Sequence, residues 1–191
     1  MKLDIFATPI WIKDYSEEFD TSALLNLCNK IKDTDGGVIN SNHNGWHSSH
    51  LAPESFEEIE NFSHHVINQA ELFLDEIGYD NSIYMSYIWF NINKENSLNI
   101  QHIHPRTMLS GVFYLSAPDG SGDLIFHRTS TEDYILSNFN LRRHSLNTTS
   151  IMKYKPIKNR LILFPAWIPH SVESNKTNEP RISIAFNITQ K

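Results

Sequence analysis

The sequence predicts an α+β fold: two N-terminal helices packed on one face of a mainly antiparallel β-sandwich or barrel. Two observations lead there. Apolar residues recur at helical spacing only before about residue 80, and from about Ile83 onward short strand-like apolar runs replace them. The length of 191 residues adds a third, since it suits one core. We therefore expect a single domain over 1–191, with an N-terminal strand and helices in 1–80 and the β core in 81–191.

The run LDIFATPIWI (3–12) mixes apolar and β-favouring residues around Pro9, which suits an edge strand. After Asp20 and Thr21, either a plausible N-cap, Leu24, Leu25, Cys28 and Ile31 fall at helical spacing, and the helix should stop before Gly36 and Gly37. A second helix is expected from Ser55 to Ile77. Ser55 and Glu58 match a capping box, Phe56, Ile59, Phe62, Val66, Ala70, Phe73, Leu74 and Ile77 form the apolar stripe, and Gly78 is a natural C-cap. Strands are expected over 83–92, 108–116, 123–127, 150–155, 160–164 and 181–188. The polar segment 129–149, which holds Arg142, Arg143 and His144, has no sustained period and reads as a long loop.

Sixteen basic against 22 acidic residues give a net charge of −6, which argues against a surface built to neutralise nucleic-acid phosphates. The lone Cys28 cannot form an internal disulfide, and the first residues lack the pattern of a secretory signal. No run approaches the roughly 18 apolar residues of a membrane span. These features suit a soluble, cytoplasmic protein with no nucleic-acid or membrane partner, and they leave the oligomeric state open, a dimer among the options. Serine–histidine–acid order, CxxC pairs and phosphate-binding glycine loops are all missing, which leaves hydrolase, zinc-finger and nucleotide-fold readings without support.

His102 and His104 in NIQHIHP alternate around Ile103, so on a strand both imidazoles would share a face, as a two-ligand metal clamp requires. Two surface histidines near a turn would give the same spacing. His170 follows an apolar strand and two prolines in RLILFPAWIPHSV, a setting able to fix a distant ligand opposite the pair. Imidazole suits iron, zinc, copper and nickel alike. Arg181 and Ser183 share a strand face, and a guanidinium fork with a neighbouring hydroxyl is a good carboxylate receptor. Asn91 and Asn93 alternate on WFNIN and could face the same cavity or bond across strands. Trp46 and His47 could line the substrate entrance, and Arg106 could touch an acidic substrate, although core packing and solvation are the ordinary uses of such a tryptophan and arginine. His64 and His65 are adjacent on a helix and diverge by about 100°, so they cannot clamp one metal.

With these motifs in place, the chain resembles the Fe(II)/2-oxoglutarate-dependent oxygenases, in particular a prolyl-4-hydroxylase-like branch frequent in bacteria and their phages. The resemblance runs through LDIFATPIW, SNHNGWHS (41–48), WFNIN (89–93), HIHPRTMLSGVFYL (102–115), SGDLIF (121–126), LILFPAWIPHSV (161–172) and RISIAFN (181–187). It implies a double-stranded β-helix, a jelly-roll or cupin-like core, and an iron held by an HxD or HxE pair and a later histidine. Carried onto this chain, His102 and His170 match two ligands and His104 stands in the acid's place. Arg181, Ser183 and Tyr114 match the groups that receive the distal carboxylate of 2-oxoglutarate. The implied activity is a dioxygenase that turns 2-oxoglutarate into succinate and carbon dioxide while hydroxylating a peptidyl residue or small metabolite.

The departure at His104 leaves alternatives open. Water could fill that position, or Asp123 or His127 could reach the metal. The chain could also be a cupin-like metal or ligand-binding module without turnover, or a three-histidine iron oxygenase that does without 2-oxoglutarate.

Overall fold

The computed structural model describes residues 7–15, 20–136, 139–143 and 145–191. Two antiparallel sheets face each other. The larger has the order β1 (Trp11–Asp14), β9 (Arg160–Pro165), β6 (Leu109–Ser116), β11 (Arg181–Gln190), β4 (Ile83–Asn93) and β3 (Trp46–His47). The smaller has the order β2 (Asn42–His43), β5 (Leu98–His102), β10 (His170–Val172), β7 (Leu124–His127) and β8 (Ile151–Tyr154). Helices α1 (Ser22–Thr34) and α2 (Glu57–Ile77) cover the outer face of the larger sheet, and a short helix, α3 (Ser130–Leu136), follows β7. This is the jelly-roll core that the resemblance implies. Among the described residues no helix is long and apolar enough to cross a membrane.

The period-two pattern of the long strands decides which face meets which layer. On β11, Ile184, Phe186 and Ile188 join the core under the helices, whereas Arg181, Ser183, Ala185 and Asn187 line a cavity between the sheets. On β4 the division repeats, with Ile88, Phe90 and Ile92 toward the helices and Trp89, Asn91 and Asn93 toward the cavity. The polar half of each alternation therefore points inward rather than to solvent. Phe62 of α2 packs edge-on against Phe113 and Phe186 at centroid separations of 5.4 and 6.1 Å. Gly111 permits this close packing, because a Cβ there would lie 2.5 Å from the Phe186 ring. A second cluster (Tyr114, Leu124, Phe126, Ile162, Phe164 and Ile168) fills the space between the sheets beside the cavity.

Several local expectations change. The first strand begins at Trp11, past Pro9, and is an edge strand paired only with β9; residues 3–6 of the expected run lie outside the described residues, as does His144. Thr21 is the N-cap of α1 but makes no side-chain cap bond, and Asp20 accepts from the Ser22 amide instead. Leu27, absent from the expected stripe, is buried, while Leu25 is only half-buried. The Ser55–Glu58 capping box does not form. Phe56 takes the N-cap position, and Ser55 turns its hydroxyl back to the Ala52 carbonyl, because the chain enters the helix one residue later than the motif assumes. Gly78 ends α2 in the left-handed conformation as expected. Segment 129–149 is not wholly loop, since α3 occupies its start. Strands β2, β3 and β10 were not anticipated as strands; each has three residues or fewer, too short for an alternation to register.

Candidate metal centre and cavity

His102 closes β5 and His170 opens β10, and the two are direct cross-strand partners in the smaller sheet. His104 does not share their strand. β5 ends at His102, and His104 sits in the following turn, where its amide donates to the Ala166 carbonyl at 3.0 Å. Ala166 in turn donates to the Met108 carbonyl, so the turn between β9 and β10 holds the third histidine in place. The expected strand alternation is thus corrected to a strand end plus a turn, yet all three rings converge. Centroid separations are 4.3 Å for His102–His170, 5.1 Å for His102–His104 and 5.0 Å for His104–His170, and one nitrogen from each lies within 4.8 Å of the others.

The outward nitrogens set the tautomers. His102 Nδ1 lies 2.7 Å from the Ile100 carbonyl, and His170 Nδ1 lies 2.9 Å from the Ile168 carbonyl. A carbonyl only accepts, so each Nδ1 carries the proton and each Nε2 turns a lone pair toward the cluster. Burial, followed by repulsion from the neighbouring imidazoles, pushes the His170 pKa down to about 3 and that of His104 down to about 4. Burial also lowers His102, against an opposing pull from the Ile100 carbonyl. At neutral pH the cluster is therefore three uncharged nitrogen donors.

These donors suit a divalent transition metal. Two nitrogens about 2.1 Å from a shared ion stand about 3.0 Å apart at a right angle and about 3.4 Å apart at the tetrahedral angle. His104 Nε2 and His170 Nε2 are 3.2 Å apart. Among the described residues Asp123 and His127, the alternative ligands, stay out of the cluster, and His127 Nε2 is engaged by Ser171 Oγ at 2.8 Å.

From this cluster a cavity of about 440 Å³ runs between the sheets to Arg181, Ser183 and Tyr114. Arg181 is 2% exposed, and among the described residues it has no carboxylate within ion-pair distance. Its Nη1 donates to the carbonyls of Ser121 and Gly122. Gly122 is indispensable to that cradle: its φ is +93°, and a Cβ would collide with the Glu173 carbonyl. Burial raises the Tyr114 pKa to about 12, against the nearby guanidinium, so the phenol keeps its proton. A buried cation, a neutral hydroxyl donor and Ser183 line one end of the cavity, and this is a donor set able to accept one carboxylate.

The remaining expected residues divide. Asn91 and Asn93 line the cavity, and Asn93 Nδ2 also reaches Asn99 Oδ1 across the sheets at 3.3 Å. Trp46 does not line it; its indole donates to the Asp35 carbonyl and packs with the helix-side core, under Lys32. Its neighbour His47 lines the cavity instead, as strand alternation requires. Arg106 is exposed, with φ +67° in the turn after His104, and is not part of the lining. Trp89, His50, Ile100 and Ile103 were not anticipated. Trp89 stood two residues before Asn91 on the same face, a signal that the sequence carried.

A family model described as "Putative 2OG-Fe(II) oxygenase" matches residues 87–187. No curated protein matches the chain. Among solved structures, a prolyl-4-hydroxylase from Pseudomonas putida is similar with a TM-score of 0.69 at 13% identity, over 96% of this chain and 94% of that one. A viral collagen prolyl hydroxylase from Paramecium Bursaria Chlorella virus-1, in complex with 2-oxoglutarate, gives 0.62 at 16% identity, over 95% and 96%. HygX from Streptomyces hygroscopicus, with nickel and 2-oxoglutarate bound, gives 0.64 at 11% identity, over 96% and 84%. At such identities these structures speak for the fold.

Proposed function

Since the chain belongs to the 2OG-Fe(II) oxygenase family, an oxidoreductase family that uses Fe(II) and 2-oxoglutarate, we propose that His102, His104 and His170 hold the iron and that Arg181, Ser183 and Tyr114 receive the co-substrate. The reaction would be hydroxylation of a substrate, a peptidyl residue or a small metabolite, admitted past Trp89 and His47. One observation carries this reading: a buried arginine that, among the described residues, has no carboxylate within ion-pair distance shares one cavity with three neutral imidazoles.

Iron, when bound, supplies the oxygen-activating chemistry that couples decarboxylation of 2-oxoglutarate to hydroxylation. The chain's own share is positioning. Carbonyls of Ile100 and Ile168 lock two rings with their lone pairs inward. The Ser121–Gly122 carbonyls use both Nη1 hydrogens of Arg181, which leaves its Nε and Nη2 hydrogens to grip a carboxylate. Tyr114, fully protonated at neutral pH, donates to the same group. Asn91 offers a further neutral contact and Asn93 braces the two sheets. Burial keeps water from competing for these bonds.

Anaerobic titration with Fe(II) and 2-oxoglutarate tests the assignment. The expected result is a visible charge-transfer band, with succinate forming once air is admitted, and both vanish in His170→Ala. A protein that shows neither band nor succinate would sink the proposal. Succinate-independent oxygen uptake with 2-oxoglutarate omitted would instead favour a three-histidine oxygenase of another kind, a role for which Arg181 would have no use.

A further inference from the structure

The wall of the cavity between the metal cluster and solvent is built from rings. His47 stacks on Trp89 with centroids 5.4 Å apart and planes 10° apart, and His50 stacks on Tyr87 at 5.1 Å and 29°. His50 also meets Trp89 at 5.4 Å, and Trp89 approaches His104 at 5.8 Å. The rings thus form a continuous tier from Tyr87, half in solvent, to Trp89, 6% exposed beside the cluster. The wall from the other sheet carries Ile100 and Ile103, which line the cavity yet remain 58% and 48% exposed. These two isoleucines flank a metal-ligand candidate and offer apolar surface at the cavity mouth for a bound molecule to cover.

Charge narrows the partner further. Arg181 is the one Asp, Glu, Lys or Arg side chain among the described lining residues, and it lies at the co-substrate end. An ammonium brought to the metal would meet the like charge of the ion with no carboxylate in the described lining to offset it, and a carboxylate would compete with 2-oxoglutarate for the ion itself. Asn40, Ser41 and Asn99 supply neutral hydrogen-bonding groups in the same lining. The net charge of −6 disfavours a nucleic-acid polymer as the carrier of the reacting group.

We infer that the prime substrate presents to the metal an uncharged, planar aromatic or heteroaromatic ring, held between Trp89 on one wall and Ile100 and Ile103 on the other. This inference rests on the proposed function above. A flat ring meets the exposed edge of Trp89 at the end of the existing tier, gains contact with both isoleucines and satisfies polar substituents on the amides. The same ring could arrive free or on a peptide.

The test is a ligand-observed NMR titration of the protein loaded with Zn(II), which carries no redox chemistry, with and without 2-oxoglutarate. The probes are N-acetyl-tyrosinamide and N-acetyl-tryptophanamide, the free rings p-cresol and indole, and the amides of N-acetyl-proline, N-acetyl-lysine and N-acetyl-aspartic acid. Aromatic probes should bind about tenfold more tightly than the proline, lysine and aspartate derivatives. Ile103→Asp, at a half-exposed position that does not threaten folding, and Trp89→Leu should each erase that preference. Tighter binding of the acetylated amides than of the free rings identifies a peptide as carrier, and the reverse identifies a metabolite. Equal or better binding of the proline, lysine or aspartate derivatives overturns the inference, as does a preference unchanged in both variants. Ring binding without any 2-oxoglutarate binding keeps the inference and removes the co-substrate assignment; 2-oxoglutarate binding without ring preference does the opposite.

Discussion

Single side chains in this cavity are defined by what burial denies them. Arg181 is desolvated, bonded on one nitrogen to backbone carbonyls and, among the described residues, left without a carboxylate in ion-pair contact, Asp123 acting on it only from a distance. A carboxylate ligand relieves that cost, so Arg181→Ala should weaken 2-oxoglutarate binding by about 100-fold while Fe(II) affinity stays near wild type, as read by calorimetry. The histidines are denied their protons. His104 and His170 have folded-state pKa values of about 4 and about 3, against about 6.5 in an unfolded chain. Between pH 6.5 and about 4 the unfolded chain therefore binds protons that the fold refuses. Stability of the metal-free protein is full above pH 6.5 and falls as the pH drops through that window. Urea midpoints at pH 7, 6 and 5 should decline, and His170→Asn should flatten the decline; a wild-type midpoint constant over this range would contradict the assignment.

At the scale of elements, short connections do as much as the long strands. The turn after β5 and the turn between β9 and β10 hold His104 by a backbone bond to Ala166, so the third histidine owes its place to two loops. The β2–β3 segment crosses from the smaller sheet to the larger one, since β2 pairs with β5 while β3 pairs with β4. Ser97 Oγ secures its tip by donating to the Asn44 carbonyl. The 121–122 turn carries the arginine cradle, and its glycine conformation is what aims two carbonyls at one nitrogen. Gly122→Ala should consequently displace those carbonyls and raise the 2-oxoglutarate KM severalfold, with iron content unchanged. Equal kinetic constants in mutant and wild type would show that the turn does not support the receptor.

Across the whole molecule, the larger sheet serves two cores at once. Its outer face packs on α1 and α2, and its inner face, polar toward one end, closes the cavity against the smaller sheet. Ligands seated between the sheets touch both layers, and their binding should therefore stabilise the fold as a unit. At a free concentration about 100 times Kd, one ligand adds about 2.7 kcal/mol, and a protein of this size gains about 2–4 °C per kcal/mol. Thermal unfolding under argon should therefore shift upward by about 5–11 °C when 2-oxoglutarate is added to the Fe(II)-loaded protein. In Arg181→Ala, for which the same concentration is only about one Kd, the shift should shrink to about 1–2 °C.

How much of this was legible in the sequence depends on the range of the interaction involved. Periodicity is local, so α1, α2 and strands β4, β6, β7, β8, β9 and β11 could be read from the sequence, and the alternation RISIAFNI already separated Arg181 and Ser183 from the apolar residues that meet the helices. The histidines, the arginine and the jelly-roll core came from motif order and family resemblance. Hidden from local reading were the pairings that join distant segments. That His170 faces His102 across two strands, that Ala166 holds His104, and that the Ser121–Gly122 carbonyls anchor Arg181 are contacts between residues far apart in the chain. Loop-closure entropy depends only weakly on such separations, so chain spacing carries almost no information about them. The side-chain alphabet and its period belong to the sequence, whereas the convergence of three imidazoles and a buried guanidinium on one cavity exists only once the two sheets have packed.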